Sequence, residues 1–264
     1  MTDYALRLGA TEIARYQMMA ERARASEANL WHTAGINTGA TVADIGCGPG
    51  AMTALLAEES GPTGCVVAVD NDPEAVTLAR AAMKAAGHAH VDIRVGEADS
   101  TGLSEGNFDV VMLRHVLAHN GGREQSIVNH VASLARPGGT VYLVDVDLTM
   151  TRMVPTDSDL DDLFERYTQF HRHKGNDPQI GLKLTQLAEA AGLELVTYQG
   201  RVDPVTAQPG LRPPPWAARH AMLAAGIATD ADLERGQAAF SRFDLHPARP
   251  LLFPSIFTAL AVRR

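Results

Sequence analysis

The sequence predicts an α/β fold: a doubly wound, mostly parallel sheet with helices on both faces. Three observations carry that expectation. Short apolar runs alternate with helical patterns from residue 41 onward. The first four runs are almost continuously apolar, as strands buried on both faces are. The first run also stops at a glycine cluster, Gly46-Cys47-Gly48-Pro49-Gly50, just before a helical stretch.

Each element follows from a local pattern. Residues 11–36 carry Ile13, Tyr16, Met19, Ala20, Ala23 and Leu30 at helical spacing, and Gly35 and Gly39 end that helix. The run 41–45 is the first strand and 50–60 a helix. The run 65–70 is the second strand, opened by the turn Gly61-Pro62-Thr63-Gly64. Pro73 suits the first position of a helix over 73–86, closed by Gly87. Runs 91–95 and 108–113 are the third and fourth strands. A helix over 122–136 is stopped by Pro137-Gly138-Gly139, and 140–146 is the fifth strand. A helix over 178–191 ends at Gly192. Runs 193–201 and 251–262 supply the last strands. After 255–262 there is little room for a crossover, so that strand is expected to run antiparallel.

Two stretches, 147–177 and 202–250, are too long for simple connections. The second holds Pro204, Pro209, Pro213, Pro214 and Pro215, then helix candidates over 215–226 and 230–242. Both read as a helical lid over the carboxyl ends of the strands, where open α/β sheets bind ligands.

The 264 residues suffice for a sizeable core without disulfides or a structural metal. With 45% apolar and 20% charged residues and a mean hydropathy of −0.08, the chain is neither disordered nor collagen-like. Its net charge of −8 argues against nucleic-acid binding, which depends on Lys and Arg. Two cysteines, Cys47 and Cys65, cannot form a disulfide framework, so the expected compartment is the reducing cytoplasm. The start, Met1-Thr2-Asp3-Tyr4, lacks a basic region before an apolar core, so no signal peptide is expected. No run of about 18 uncharged apolar residues occurs, so no membrane partner is expected.

The glycine loop is ambiguous alone, because Gly46-Cys47-Gly48-Pro49-Gly50-Ala51 also satisfies a dinucleotide pattern. Three carboxylates separate the readings. Asp44 lies just before the first glycine, where it would repel a pyrophosphate but orient an ammonium. Asp70 ends the second strand and suits a ribose diol. Asp99, within Gly96-Glu97-Ala98-Asp99-Ser100, follows the third strand and could accept from an adenine amine. Such a set suits a ligand with an ammonium, a sulfonium and an adenosine.

With these pieces in order across residues 40–146, the chain resembles a class I S-adenosylmethionine-dependent methyltransferase. The matching segments are 42–50, 66–70, 96–100, 108–113 and the Pro-Gly-Gly strand 137–144. The prologue Tyr4, Glu12, Arg15-Tyr16-Gln17 is similar to small-molecule enzymes of the ubiquinone/menaquinone-biosynthesis type. The resemblance implies a Rossmann-like seven-stranded sheet with a reversed last strand. It also implies a single methyltransferase domain over 1–264. Within it, 1–36 is a helical cap, 37–146 the cofactor-binding core, and 147–177 and 202–250 lid insertions for the acceptor. Gly46, Gly48 and the Cys47 backbone would line the methionine part of S-adenosyl-L-methionine, with Asp44 behind the amino group. Asp70 and Asn71 would take the ribose, Asp99 and Ser100 the adenine. Arg114 would lie at the methionine end, and Gln17 would close the site from the first helix. The reaction's product from the cofactor would be S-adenosyl-L-homocysteine.

The expected acceptor is a small molecule, with O-methylation favoured over N- or C-methylation and a role in secondary metabolism in view. The segment after the fourth strand reads Leu113-Arg114-His115-Val116, not a DNA amine-methylation motif. His115 and His119 are the candidates for a catalytic base. On a helix they would share a face, and packing beside the cofactor is the other reading of both. A zinc site would lack a third ligand, so no metal is expected. His171-Arg172-His173-Lys174 suits a helix C-terminus, or a lid position facing the acceptor. Asp145 and Asp147, two apart in the fifth strand, would face one side, toward substrate or into helix capping. Trp216, Phe240, Phe243 and Phe253 would be core or pocket lining. The N-terminal helix is also a candidate homodimer interface. Two other readings are a non-catalytic S-adenosylmethionine-binding protein and an NAD(P)-dependent oxidoreductase using the same glycine loop.

Overall fold

The structure is a computed structural model that describes residues 9–264 apart from 89, 211 and 248. Tyr4 of the prologue therefore lies outside the described residues. The chain opens with α1 (Ala10–Ala34), which ends at Gly35 in the left-handed region. Alternation follows: β1 (Thr41–Ile45), α2 (Ala51–Ser60), β2 (Cys65–Asp70), α3 (Pro73–Ala85), β3 (Asp92–Val95) and β4 (Phe108–Arg114). Then come α4 (Glu124–Leu134) and β5 (Ala135–Val146). Asp72 caps α3 by accepting from the Glu74 N–H at 2.9 Å, with Pro73 at the first helical position, a cap worth about 1 kcal/mol.

The second half adds β6 (Arg152–Val154), α5 (Ser158–His173), α6 (Leu184–Ala190), β7 (Leu193–Val202) and β8 (Val205–Thr206). The chain closes with α7 (Pro214–Ala217), α8 (Arg219–Ala224), α9 (Asp230–Asp244), β9 (Leu251–Phe253) and β10 (Ser255–Arg263). Seven strands form one sheet in the order β3-β2-β1-β4-β5-β10-β7. β10 runs antiparallel to both neighbours, as the expected reversed last strand. Strand order reverses between β1 and β4, which makes a crevice at their carboxyl ends.

Two cores flank the sheet. Trp31, Ile36, Leu56 and Val76 bring α1, α2 and α3 onto one face. Ile127, Leu134, Leu184 and Ala188 bring α4 and α6 onto the other. A third cluster, including Leu160, Tyr167, Phe170, Met222 and Phe240, unites α5 with α7–α9. This cluster draws on both long insertions, the candidate lid. The candidate dimer helix α1 buries Ala20, Ala23, Glu27 and Trp31 within the chain itself, leaving Glu21, Ala25 and Asn29 exposed.

Some boundaries differ from the sequence expectation. The fourth helix stops at Leu134, and β5 begins before Pro137. A register shift between Phe108 and Val110 absorbs the extra residues 136–139. The helix expected over 178–191 is a 3-10 turn, Ile180–Lys183, followed by α6. The run 251–262 divides at Pro254, sending β9 into a separate small sheet, β6-β9-β8. Strands of two or three residues carry too little alternation to stand out in a sequence.

Candidate functional site

The glycine loop turns from β1 into α2 at the crevice. Gly46 has φ +77°, and a Cβ there would collide with the Val116 side chain. Gly48 has φ +54°, and its missing Cβ would stand 3.5 Å from the Tyr16 ring of α1. The N–H groups of Gly46 and Cys47 both donate to the Val69 carbonyl, at 2.8 and 3.1 Å. The Gly48 N–H donates to Asp70 Oδ2 at 2.7 Å. The loop is thus pinned to the end of β2 and presents its surface, rather than those N–H groups, to the cavity. Burial, with Asp44 and Asp70 close by, pushes the Cys47 thiol well up, so it is no nucleophile.

Asp44 and Asp70 both line the cavity. Asp44 is buried and accepts from Thr53 Oγ1 at 2.7 Å. Burial pushes its carboxyl up to about 6, against the Thr53 bond and helped by the Asp70 charge. Asp70 also accepts from the Asp72 N–H at 3.0 Å, and burial raises it as well. Asn71 lines the cavity and donates to Glu97 at 3.4 Å.

Beyond β3 the arrangement departs from the expectation. Asp99 accepts from Arg123 at 2.6 and 3.0 Å, which holds its carboxyl below the usual range. Ser100 is exposed. Gly96, Ala98 and Arg123 form the cavity wall here, not Asp99 or Ser100. Glu97, not singled out in the sequence, sits between the lining residues Asn71 and Arg123, 3.2 Å from the guanidinium. Gln17 is exposed and outside the lining, because Tyr16 is the α1 residue that turns onto the glycine loop.

At the end of β4, Arg114 lines the cavity and donates to both Glu27 oxygens, at 2.9 and 3.0 Å. Glu27 is buried on α1 and also accepts from Arg201, from the Tyr142 hydroxyl at 2.8 Å and from Trp31 Nε1 at 3.3 Å. Burial would raise its carboxyl, but Arg114 and Arg201 overcome that and hold it below the usual value.

His115 and His119 both line the cavity, but not on a helical face. His115 has φ +56°, and Leu117–His119 is a 3-10 turn. The His115 N–H is used by the Val144 carbonyl at 2.8 Å, while its Nε2 is buried without a partner among the described residues. Burial, with Arg114 nearby, puts its titration well below the usual histidine range. Burial takes His119 down to about 3, and its ring lies 5.1 Å from that of His171. Burial likewise lowers His171 to about 4. Asp145 lines the cavity, accepts from the Ala118 and Val146 N–H groups, and is raised by burial to about 7. Asp147 instead caps the turn at 148–150, accepting from Thr149 N at 2.8 Å.

The crevice continues between α5 and the α7–α9 cluster in one cavity of about 650 Å³. Phe164, Phe170, Phe240 and Phe243 line the side formed by α5 and α9, while Trp216 packs edge-to-face on Phe240 outside the lining. Among the described residues no His/Cys/Asp/Glu group could hold a metal, and no helix is long and apolar enough to cross a membrane. The residues fit S-adenosylmethionine. Asp44 is a buried acid with a neutral partner, open to an ammonium. Asp70 lines the cavity at the end of β2, held against the glycine loop by the Gly48 N–H.

A doubly wound sheet, a glycine loop at its switch point and acids behind that loop define a nucleoside-cofactor domain of the class I methyltransferase type. A methyltransferase domain family matches residues 36–192, and the chain belongs to that family. An arsenite methyltransferase of Halobacterium salinarum is 31% identical over 123 residues, 47% of this chain and 31% of its own length. A demethylmenaquinone methyltransferase of Lactococcus lactis is 28% identical over 108 residues, 41% of this chain and 42% of its own length. The chain thus spans less than half the length of these relatives. The fold is similar to that of a SAM-dependent methyltransferase from Aquifex aeolicus, with TM-score 0.55 and 15% identity, covering 95% of this chain and 98% of the other.

Proposed function

We propose that the protein transfers the methyl group of S-adenosylmethionine to a small-molecule acceptor, with oxygen as the favoured acceptor atom. The observation that supports this most is the placement of Asp44 and Asp70 on either side of the pinned glycine loop, at the switch point of the sheet. Asp44 holds the ammonium and Asp70 the ribose hydroxyls, with Asn71 beside it. Arg114, fixed by Glu27, faces the methionine carboxylate. Arg123, held by Glu97 and Asp99, closes the adenine end, so Asp99 acts there through Arg123. When bound, S-adenosylmethionine supplies a methyl group activated on sulfonium.

The lid supplies the acceptor subsite. Its aromatic lining excludes water and suits a bulky, largely apolar molecule. Burial keeps His115 and His119 neutral on the crevice side of the acceptor, where His115 Nε2 has no partner among the described residues. Incubation with methyl-labelled cofactor and fractionated metabolite extract tests the reading. Label should appear in an apolar hydroxyl-bearing compound. Cofactor binding with no label transferred to any fraction would point to a non-catalytic binding protein instead.

A further inference from the structure

We infer that His171, on the lid helix α5, is the hydroxyl-binding residue of the acceptor subsite; this rests on the methyltransferase reading above. Placed at a helix C-terminus, His171 would ordinarily be an exposed cation favoured by the helix dipole. The structure puts it elsewhere: its residue is 2% exposed and lines the cavity. Nδ1 lies 3.0 Å from the Ala118 carbonyl oxygen. A carbonyl can only accept, so Nδ1 carries the proton and Nε2 carries a lone pair. Nε2 makes no hydrogen bond to a described residue.

The ring is held firmly. The Tyr167 ring meets it edge-on at 4.6 Å, and His119 lies 5.1 Å away. Ala118, whose carbonyl accepts the Nδ1 hydrogen bond, itself donates its N–H to Asp145 at 3.2 Å. The carboxyl end of the sheet therefore fixes the tautomer of a histidine on the lid. A fixed lone pair on a neutral ring recognises a neutral donor, and it gains little from an anion. The substrate class that fits is an apolar ring compound with a hydroxyl group, bound with that hydroxyl donating to Nε2.

The test uses three probes on the full chain, with and without S-adenosylhomocysteine: 1-naphthol, naphthalene and 1-naphthoate. The wild-type protein should bind naphthol about five- to tenfold tighter than naphthalene, the range of one neutral hydrogen bond. In His171→Phe that preference should vanish while the S-adenosylhomocysteine affinity stays unchanged. Nitrogen-15 NMR of the wild-type imidazoles gives a readout that needs no variant. Nδ1 of His171 should be protonated, and naphthol but not naphthalene should shift Nε2. Equal binding of naphthol and naphthalene, a preference that survives in His171→Phe, a protonated Nε2, or no binding of any probe would each overturn the assignment. Preference for naphthoate would overturn it too, giving this part of the cavity to an anion near Lys174. Failure to bind S-adenosylhomocysteine is read separately and would strike at the methyltransferase reading instead.

Discussion

Glu27 of α1 grips Arg114 at the end of β4 through both carboxylate oxygens, at 2.9 and 3.0 Å. The pair ties the first helix to the strand that borders the cofactor crevice. Glu27 has no side-chain exposure, and Arg201 of β7 donates to Oε1, which Arg114 also contacts. With Tyr142 of β5, four parts of the chain thus meet on one carboxylate.

Removing that carboxylate leaves two guanidiniums poorly paired in a buried setting. Glu27→Ala should cost about 3–5 kcal/mol in urea unfolding, the range for breaking a buried pair. Glu27→Gln keeps the volume and the hydrogen bonds to Tyr142 and Trp31 in part, and should cost less. The pH dependence has a definite sign. A carboxyl held below its unfolded value contributes stability that is present above the unfolded value of roughly 4.3 and is lost as pH falls. Glu27→Gln should therefore flatten the acid limb of the stability curve.

Gly46 tests the close approach of the loop to Val116. Gly46→Ala combines a positive φ with a steric collision, and should cost about 1–3 kcal/mol together with cofactor affinity. Val116→Ala relieves the collision but not the φ, so the double variant should recover part of the loss in thermal unfolding. No recovery would mean that backbone strain alone decides.

Asp70→Ala should weaken S-adenosylhomocysteine binding by about tenfold to a hundredfold in calorimetry, as expected for hydrogen bonds to a charged group. An unchanged dissociation constant would overturn the ribose assignment.

Asp44 gives cofactor binding a pH signature. Its carboxyl titrates near about 6 in the free protein, raised by burial. A ligand ammonium favours the ionised form, so binding below that pH must expel a proton. Affinity should fall as pH drops from about 6 to 5, by up to tenfold per unit. Asp44→Asn should bind weakly and show no such slope.

Much of this was legible in the sequence because the relevant residues are close together in it. β1, β2, the loop 46–50 and the acids Asp44 and Asp70 stand within one βαβ unit, so local pattern places them. Glu27 was not legible: on a helix of mixed polarity it looks like any solvated charge, and its partners lie 87 and 174 residues away. Asp99 and Gln17 have the expected residue types in the expected neighbourhood, yet side-chain direction sends them to Arg123 and to solvent. His171 carries a terminal-cation pattern that tertiary packing overrides. His115 and His119 line the cavity, but the left-handed backbone at His115 breaks the helical spacing expected of them.

The central claim is that the crevice takes an adenosyl cofactor bearing an ammonium rather than a diphosphate. Calorimetric titration with S-adenosylhomocysteine, beside a fluorescence titration with NADPH, tests it most directly. Saturable one-site binding of S-adenosylhomocysteine, weakened in Asp44→Asn, and no change in NADPH fluorescence are the expected results. NADPH binding that survives Asp44→Asn, with no heat from S-adenosylhomocysteine, would contradict it.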